Sequence, residues 1–543
     1  MSKRNYNVFF HLHTVSGIVI SVGLYIIFFA GAFTLFEKAI HHWEEGEAHA
    51  TTTETIPATS IDYDRLTDSL QAKGYDLYGR SLYITLEGGE KQAFFLSGST
   101  DSLASEADRK EAQLSFNTTT YEIADQPERY SFGSLLYLLH FFYQLDRPGY
   151  YLSGAVALFF LFALITGLVI HWKKIVLSFY VFRPGAKLKT IWTDAHTALG
   201  TIGIPFQFMY ALTGAMFGLG VLVGTSGSVL YEGDTEKFYA ELYGEHNNVL
   251  GERVEASAYR LNPYADSVDH RWADFAPKYI GLLKLESENM QFRAYGYLDS
   301  KAQFLNNGEV VYDVVLGKVN HEHNPYEMSY AESIWPTVSR LHYADYGNLG
   351  TLGDYTLKFI YFILAVMTCF VIISGVLIWL EARNKRNVPE KERRYNERVG
   401  HIYLAICLSM LPMTALTFIV AKLIPVGWAT ETFFNSVFFG GWLLLSVFFW
   451  RKQDNYFTNR YTLLASGALG MLIPLVNGLV SGHWIWRAFL NHQYEIFIID
   501  VLWLFLATIC LFTVYRMKKP TAKVPIQTRR KRSVATKEVF QPS

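Results

Sequence analysis

Cysteine is nearly absent from this chain: Cys369, Cys407 and Cys510 are the only three in 543 residues, and each falls inside an apolar run. With no cysteine outside those runs there is no disulfide framework, and with no C-x-x-C-H there is no covalently attached c-type haem. An excess of charge is missing too, with 48 Lys and Arg against 49 Asp and Glu for a formal net charge of −1. That balance leaves no electrostatic footprint for nucleic acid. Neither H-E-x-x-H nor a Ser/His/Asp constellation occurs. Gly218-Leu219-Gly220 lies in an apolar run with no strand before it, which excludes a dinucleotide fingerprint there. No NAD, flavin or ATP site is recognisable, so electrons, if used, must come from another molecule.

Apolar residues are what the chain has in quantity, 50% of the total with 16% aromatic. Several runs reach the roughly 20 residues that a helix needs to cross a bilayer. Eight spans are predicted, near 14–37, 150–172, 194–224, 354–380, 400–424, 432–450, 461–483 and 496–516. This is the pattern of a polytopic α-helical membrane protein with both termini on one side. Lys173, Lys174, Arg183, Lys187 and Lys189 in the 173–193 loop mark the cytoplasmic face. Arg383, Lys385, Arg386, Lys391, Arg393, Arg394 and Arg398 do the same around the 381–399 loop, as do Lys518, Lys519, Lys523 and the 529–532 run in the 517–543 tail. The tail also reads as a lipid-headgroup contact, and the first span as a retained signal anchor.

Residues 1–172 and 194–380 read as two copies of one plan, with 400–516 adding four spans. Each copy runs through a histidine, a span, an outer segment (39–147 and 225–352), a Leu-His pair and a second span. The exits carry Thr166-Gly167 with Trp172, and Ser374-Gly375 with Trp379. Parallel repeats about an axis along the membrane normal bring equivalent side chains together in pairs. His13 opens the first span and His196 the third, each with a glycine one turn on, Gly17 and Gly200. An imidazole and a side-chain-free patch then share a helix face, which is a place for a planar cofactor. His140 and His342, each after a leucine, precede the second and fourth spans at the opposite side.

A histidine in a membrane helix is expensive without a partner, and neutral imidazole is a good iron ligand. The pattern predicts two bis-histidine b-type haems, an inner one on His13 and His196 and an outer one on His140 and His342. Without a cofactor, these four are interface histidines bonded to headgroups or neighbouring carbonyls. His401, with Ala405 one turn on, and His171 are alternative inner ligands, although His171 aligns with Trp379 in the repeat. His11 faces away from His13. His41, His42, His321, His323, His483 and His492 are placed at the outer surface, with His321-Glu322-His323 a candidate for transient metal binding. Asp194 is either a carboxylate beside His196 or a charge at the helix start. Gly214-x-x-x-Gly218 and Gly220-x-x-x-Gly224 fit close packing within the third span.

Each outer segment carries a small α+β pattern. A helix is predicted over 62–73 with strands at 82–86, 92–96 and 113–116, and a second helix over 264–276 with strands at 279–285, 291–297 and 310–316.

The line from Leu139-His140 to Pro148-Gly149 and on to Thr166-Gly167 has a partner from Leu341-His342 to Gly350 and Ser374-Gly375. Together with the H-x-x-x-G entrances, these motifs resemble the PepSY-associated transmembrane family over about residues 8–380. The resemblance implies that the outer segments are PepSY-like modules, that the protein sits in a bacterial inner membrane, and that it reduces siderophore-bound iron through b-type haem. Electrons would enter from a cytoplasmic donor or membrane quinol and leave to a ferric siderophore or other outer acceptor. Siderophores hold Fe(III) on hard oxygen ligands far more tightly than Fe(II), so one-electron reduction releases the metal. Two rival readings are a non-enzymatic peptide-binding or protease-regulating membrane protein, and a transporter. Against the transporter, the spans show almost no interior carboxylates or broken-helix signals.

Overall fold

The computed structural model describes residues 1–46, 56–86, 89, 91–125, 129–181, 183, 185–186, 188–243, 249–298, 304–346, 351–385 and 387–518. Lys187, Gly350, Arg386 and the tail from Lys519 onward, including the 529–532 run, lie outside the described residues. Among those residues seven helices are long and apolar enough to cross a membrane, or eight if a bent pair counts as one. Spans 1 to 4 are Lys3–Thr34, Asp146–His171, Leu188–Gly218 and Thr351–Arg383. Spans 5 to 8 are Glu390–Leu423, Glu431–Lys452, Asn455–Ser481 and Tyr494–Arg516. A helix satisfies its backbone internally, as lipid requires. Spans 1 to 4 close a ring in which each packs on the next and span 4 packs on span 1.

Span 3 departs from the predicted 194–224 run. It ends at Gly218, and the Val221–Leu230 helix leaves it at 90°. The backbone of Gly218 lies against Gly154 of span 2, where a Cβ on Gly218 would come within 2.5 Å of the Gly154 Cα. The Gly214-x-x-x-Gly218 pair thus sits where helices approach closely. Gly220 and Gly224 lie beyond the bend, not inside the span.

The two α+β segments join edge to edge into one antiparallel sheet of order β4-β3-β2-β1-β5-β6-β7-β8. The strands are β1 (Leu82–Thr85), β2 (Lys91–Leu96), β3 (Ala112–Asn117) and β4 (Ile123–Asp125), then β5 (Phe275–Leu283), β6 (Gln291–Leu298), β7 (Asn307–Asp313) and β8 (Lys318–His323). The halves meet at β1 and β5, with Leu82 opposite Leu282 and Ile84 opposite Ile280. Helices Tyr63–Ala72 and Asn262–Asp269 cover one face, burying Leu66, Leu70, Ala265 and Val268 against Leu82, Leu96, Phe292 and Val310. Their N-termini cap each other: Asn262 Oδ1 accepts the Tyr63 N–H and Asp64 Oδ1 accepts the Leu261 N–H, both at 2.8 Å. The second helix is shorter than predicted, because Phe275 and Ala276 already alternate as strand residues. β4 and β8 are strands that the sequence pattern did not mark.

Spans 5 to 8 grip the rest of the chain through the Glu37–Glu45 helix that follows span 1. Trp43 is fully buried, its Nε1–H donating to Asp500 of span 8 at 2.9 Å and its carbonyl accepting from Lys422 of span 5. Asn477 of span 7 donates to the other Asp500 oxygen at 3.0 Å. Asp500 and the bend after Gly218 are exceptions to the expected near-absence of interior carboxylates and broken-helix signals.

On the same helix, Glu44 accepts the Phe132 N–H at 3.0 Å, capping the Phe132–His140 helix. Burial pushes its carboxyl up to about 7. A carboxyl raised in the folded state contributes stability below its unfolded value, and that contribution is lost as pH rises through about 7. Glu44→Gln keeps the acceptor oxygen and removes the ionisation. Its thermal midpoint is expected to match the parent's near pH 4.5 and exceed it by several degrees at pH 8.5, which differential scanning fluorimetry reads. A parent midpoint that stays flat across this window rules out the coupling.

Candidate functional site

Four histidines meet in two pairs inside the ring of spans 1 to 4. The His13 and His196 rings face each other with centroids 6.3 Å apart, and those of His140 and His342 are 5.8 Å apart. His13 lies in span 1 and His196 in span 3. The other two precede spans 2 and 4, as the sequence pattern implied. They end separate short helices, Phe132–His140 and Tyr330–Tyr343, that fold back into the bundle. Each helix breaks two residues after its histidine in a left-handed residue, Phe142 (φ 58°) and Ala344 (φ 51°).

Three of the four imidazoles are seated on a neighbouring helix by the same device. His13 Nδ1 bonds the Ala163 carbonyl at 2.8 Å, His196 Nδ1 that of Val371 at 2.9 Å, and His140 Nδ1 that of Ile27 at 2.8 Å. Four residues past each carbonyl stands a glycine, Gly167, Gly375 and Gly31. A Cβ there would lie 3.0, 3.1 and 2.6 Å from the seated ring. Thr166 and Ser374 hydroxyls bond the Ala163 and Val371 carbonyls from within their own turns. The fourth seat differs. Thr213 donates to the Met209 carbonyl, leaving its lone pairs to accept from His342 Nδ1 at 2.8 Å, with Gly214 beside the ring.

This geometry fixes the chemistry of the rings. A carbonyl only accepts, so each Nδ1 carries the proton and each Nε2 is left as a bare lone pair, the state in which imidazole binds metal. With metal–nitrogen bonds of about 2 Å, two imidazoles on opposite sides of one iron have centroids roughly 6 Å apart. Both pairs have that spacing. Between His140 and His342 lies a cavity of about 180 Å³ with Phe28, Phe160 and Phe217 in its walls. At the other pair, a Cβ on Gly17 meets nothing within 4 Å, while one on Gly200 touches only Val371 at 3.8 Å. Ile27, where His140 docks, is fourteen residues beyond His13 on span 1. That is about 21 Å at 1.5 Å per residue, most of a hydrocarbon core roughly 30 Å thick.

Of the other histidines, His171 is near enough to His196 for the two rings to interact electrostatically, and the rest have partners outside the two pairs or are exposed. His401 bonds Asn455 of span 7 at 2.6 Å, away from the His13 ring. His171 closes span 2 four residues past Gly167, and Trp379 holds the matching position in span 4. His11 is exposed. His42 pairs with Glu495, and His483 and His492 bond Gly46 and Tyr494. His323 is not a surface residue: its side chain is 12% exposed, between Glu309 and Glu332. Among the described residues no three His, Cys, Asp or Glu side chains converge on a metal position. Asp194 neither caps the helix nor touches His196. It is held by the Arg183 guanidinium at 2.7 and 2.9 Å.

The profile of one family, described as the PepSY-associated TM region, matches residues 10–382. The chain belongs to that family. The match ends where span 4 ends, so it covers both histidine pairs and all eight strands and leaves spans 5 to 8 outside. A similar protein is an uncharacterized one of Pseudomonas aeruginosa, 22% identical over 296 residues, which are 54% of this chain and 73% of the relative. Sequence reasoning missed the seating glycines. Their signal was the repeated Thr-Gly and Ser-Gly of the two exits.

Proposed function

We propose that this multi-pass membrane protein transfers electrons across the bilayer through two b-type haems, one held by His13 and His196 and the other by His140 and His342. The observation that carries the reading is the pair of facing imidazole couples, each ring with Nδ1 committed and Nε2 free. Haem so ligated supplies one-electron chemistry without a vacant coordination position. The chain itself orients the rings, walls the His140 and His342 cavity with the packed rings of Phe28, Phe160 and Tyr210, and needs no acid or base. The sheet stands at the His140 and His342 end. The basic loops lie toward the other, which favours a cytoplasmic or quinol donor there and an outer acceptor at the sheet. Ferric iron in a siderophore is the acceptor that family resemblance favours, making the protein a ferric reductase of a bacterial inner membrane.

The test is optical. Purified protein is expected to yield two haems per chain by pyridine extraction, with the low-spin spectrum of bis-histidine ligation. In vesicles, a ferric siderophore added on the sheet side is expected to reoxidise the dithionite-reduced spectrum while a ferrous chelator colours. A folded protein from haem-replete membranes with no haem absorbance overturns the reading. A reduced spectrum discharged by other oxidants but not by ferric chelates overturns the iron assignment alone.

A further inference from the structure

A second cavity, about 340 Å³ and lined by both charged and aromatic side chains, lies between β6, β7 and the Tyr330–Tyr343 helix. It shares Tyr343 with the cavity of His140 and His342. Two ring contacts lead from His342 to its walls. The Tyr343 ring is 5.4 Å from that of His342, and Phe217 lies 5.1 Å from His342 and stacks on Trp335 at 5.5 Å.

The charges of the cavity are unevenly compensated. Arg293 is neutralised by Glu309 across the β6–β7 ladder. Glu332 accepts the Ser329 N–H in a capping box and lies near His323, and Asp345 is at the exposed rim. Arg340, only 5% exposed, has neutral partners: the Phe304 and Tyr346 carbonyls and the Asn306 side chain. Its guanidinium lies over the Tyr297 ring. Asn307, 4% exposed, also lines the cavity, and its Oδ1 has no hydrogen-bond partner. A buried cation with only neutral partners is costly unless a counter-charge arrives. Guanidinium is suited to carboxylate-type oxygens.

We propose that this cavity binds a small, anionic, oxygen-rich molecule whose oxygens meet Arg340 and whose hydrogen-bond donor meets Asn307. On the electron-transfer reading this ligand is the acceptor, held one aromatic layer from His342. The binding itself does not need that reading. The buried Arg340 guanidinium and the unpartnered Asn307 oxygen in the walls argue against a lipid chain.

Gallium(III) citrate, anionic, oxygen-ligated and inert to reduction, is the probe, titrated by calorimetry into full-length protein in detergent. The parent is expected to bind it and to ignore hexaamminecobalt(III), a cation of similar size. Arg340→Gln is expected to weaken binding about tenfold or more, the loss of a charge-assisted hydrogen bond. Arg340 also ties two loops, so Ser339→Phe serves as the second variant. It fills the cavity from the same helix and is expected to abolish binding with the thermal midpoint unchanged. Absence of binding by the parent, or equal binding by a folded Ser339→Phe variant, overturns the proposal. Because gallium accepts no electron here, a protein that lacks haem yet binds the probe refutes the electron-transfer reading and leaves this one standing.

Discussion

His140→Ala and His342→Ala are each expected to remove the same haem, and His13→Ala and His196→Ala the other. Each variant should fall from two haems per chain to one by pyridine extraction. The reason lies in the pairing: His140 faces His342 at 5.8 Å and His13 faces His196 at 6.3 Å, while the two levels are separated by about fourteen residues of span 1. Loss of one ring would leave a haem with a single protein ligand, and that ligand, held at Nδ1 by a backbone carbonyl or, for His342, by the Thr213 hydroxyl, could not follow. The two members of a pair should therefore be indistinguishable in spectrum and potential, and members of different pairs should differ. His401→Ala is expected to keep both haems, since His401 is bonded to Asn455 on another part of the bundle. A His196→Ala protein with both haems, matched by loss of one in His401→Ala or His171→Ala, would falsify the pairing.

Much of this arrangement was legible in the chain. Helical periodicity and run length fixed the spans, because a membrane helix must be continuous and apolar. The repeat alone pairs His13 with His196 and His140 with His342. The glycines were harder. Gly17 and Gly200 share a face with His13 and His196, which is a local relation, but an imidazole is seated on a different helix, so its glycine is set by tertiary contact. The Ile27, Ala163 and Val371 carbonyls are invisible in sequence for the same reason. Left-handed Phe142 and Ala344 carry no signal, since such residues rarely adopt positive φ, and the two short ligand helices that they end were not marked in the sequence pattern. The join of β1 to β5 is likewise nonlocal: alternation finds a strand but not its neighbour. Trp43, Lys422 and Asp500 come from three separate helices, so only folding assembles the contact that ties spans 5 to 8 to the capped Phe132–His140 helix.

Substitution of the seating glycines is expected to empty the haem sites with all four histidines in place, in an order set by the space at each. A Cβ at Gly31 would lie 2.6 Å from His140 Nδ1, well inside the 3.5–4.0 Å optimum for non-bonded carbon contacts. The ring cannot swing away cheaply, because Nδ1 is bonded to the Ile27 carbonyl. Any displacement breaks that bond, frees the tautomer and moves Nε2 off the line to His342. Gly31→Ala should thus lose most of the haem at this level. Gly167→Ala and Gly375→Ala, at 3.0 and 3.1 Å, should lose part of the other haem. Gly214→Ala, whose Cβ would stand 3.9 Å from His342, should lose least. Haem content and thermal midpoint, measured together, separate a vacated site from a misfolded bundle. Gly17→Leu is the contrasting case: its Cβ meets no protein atom within 4 Å, so a haem lost there reports on the macrocycle and not on the seat of His13. If Gly31→Ala retains two haems with an unaltered spectrum, the carbonyl-and-glycine seat is not what holds His140 in register with His342.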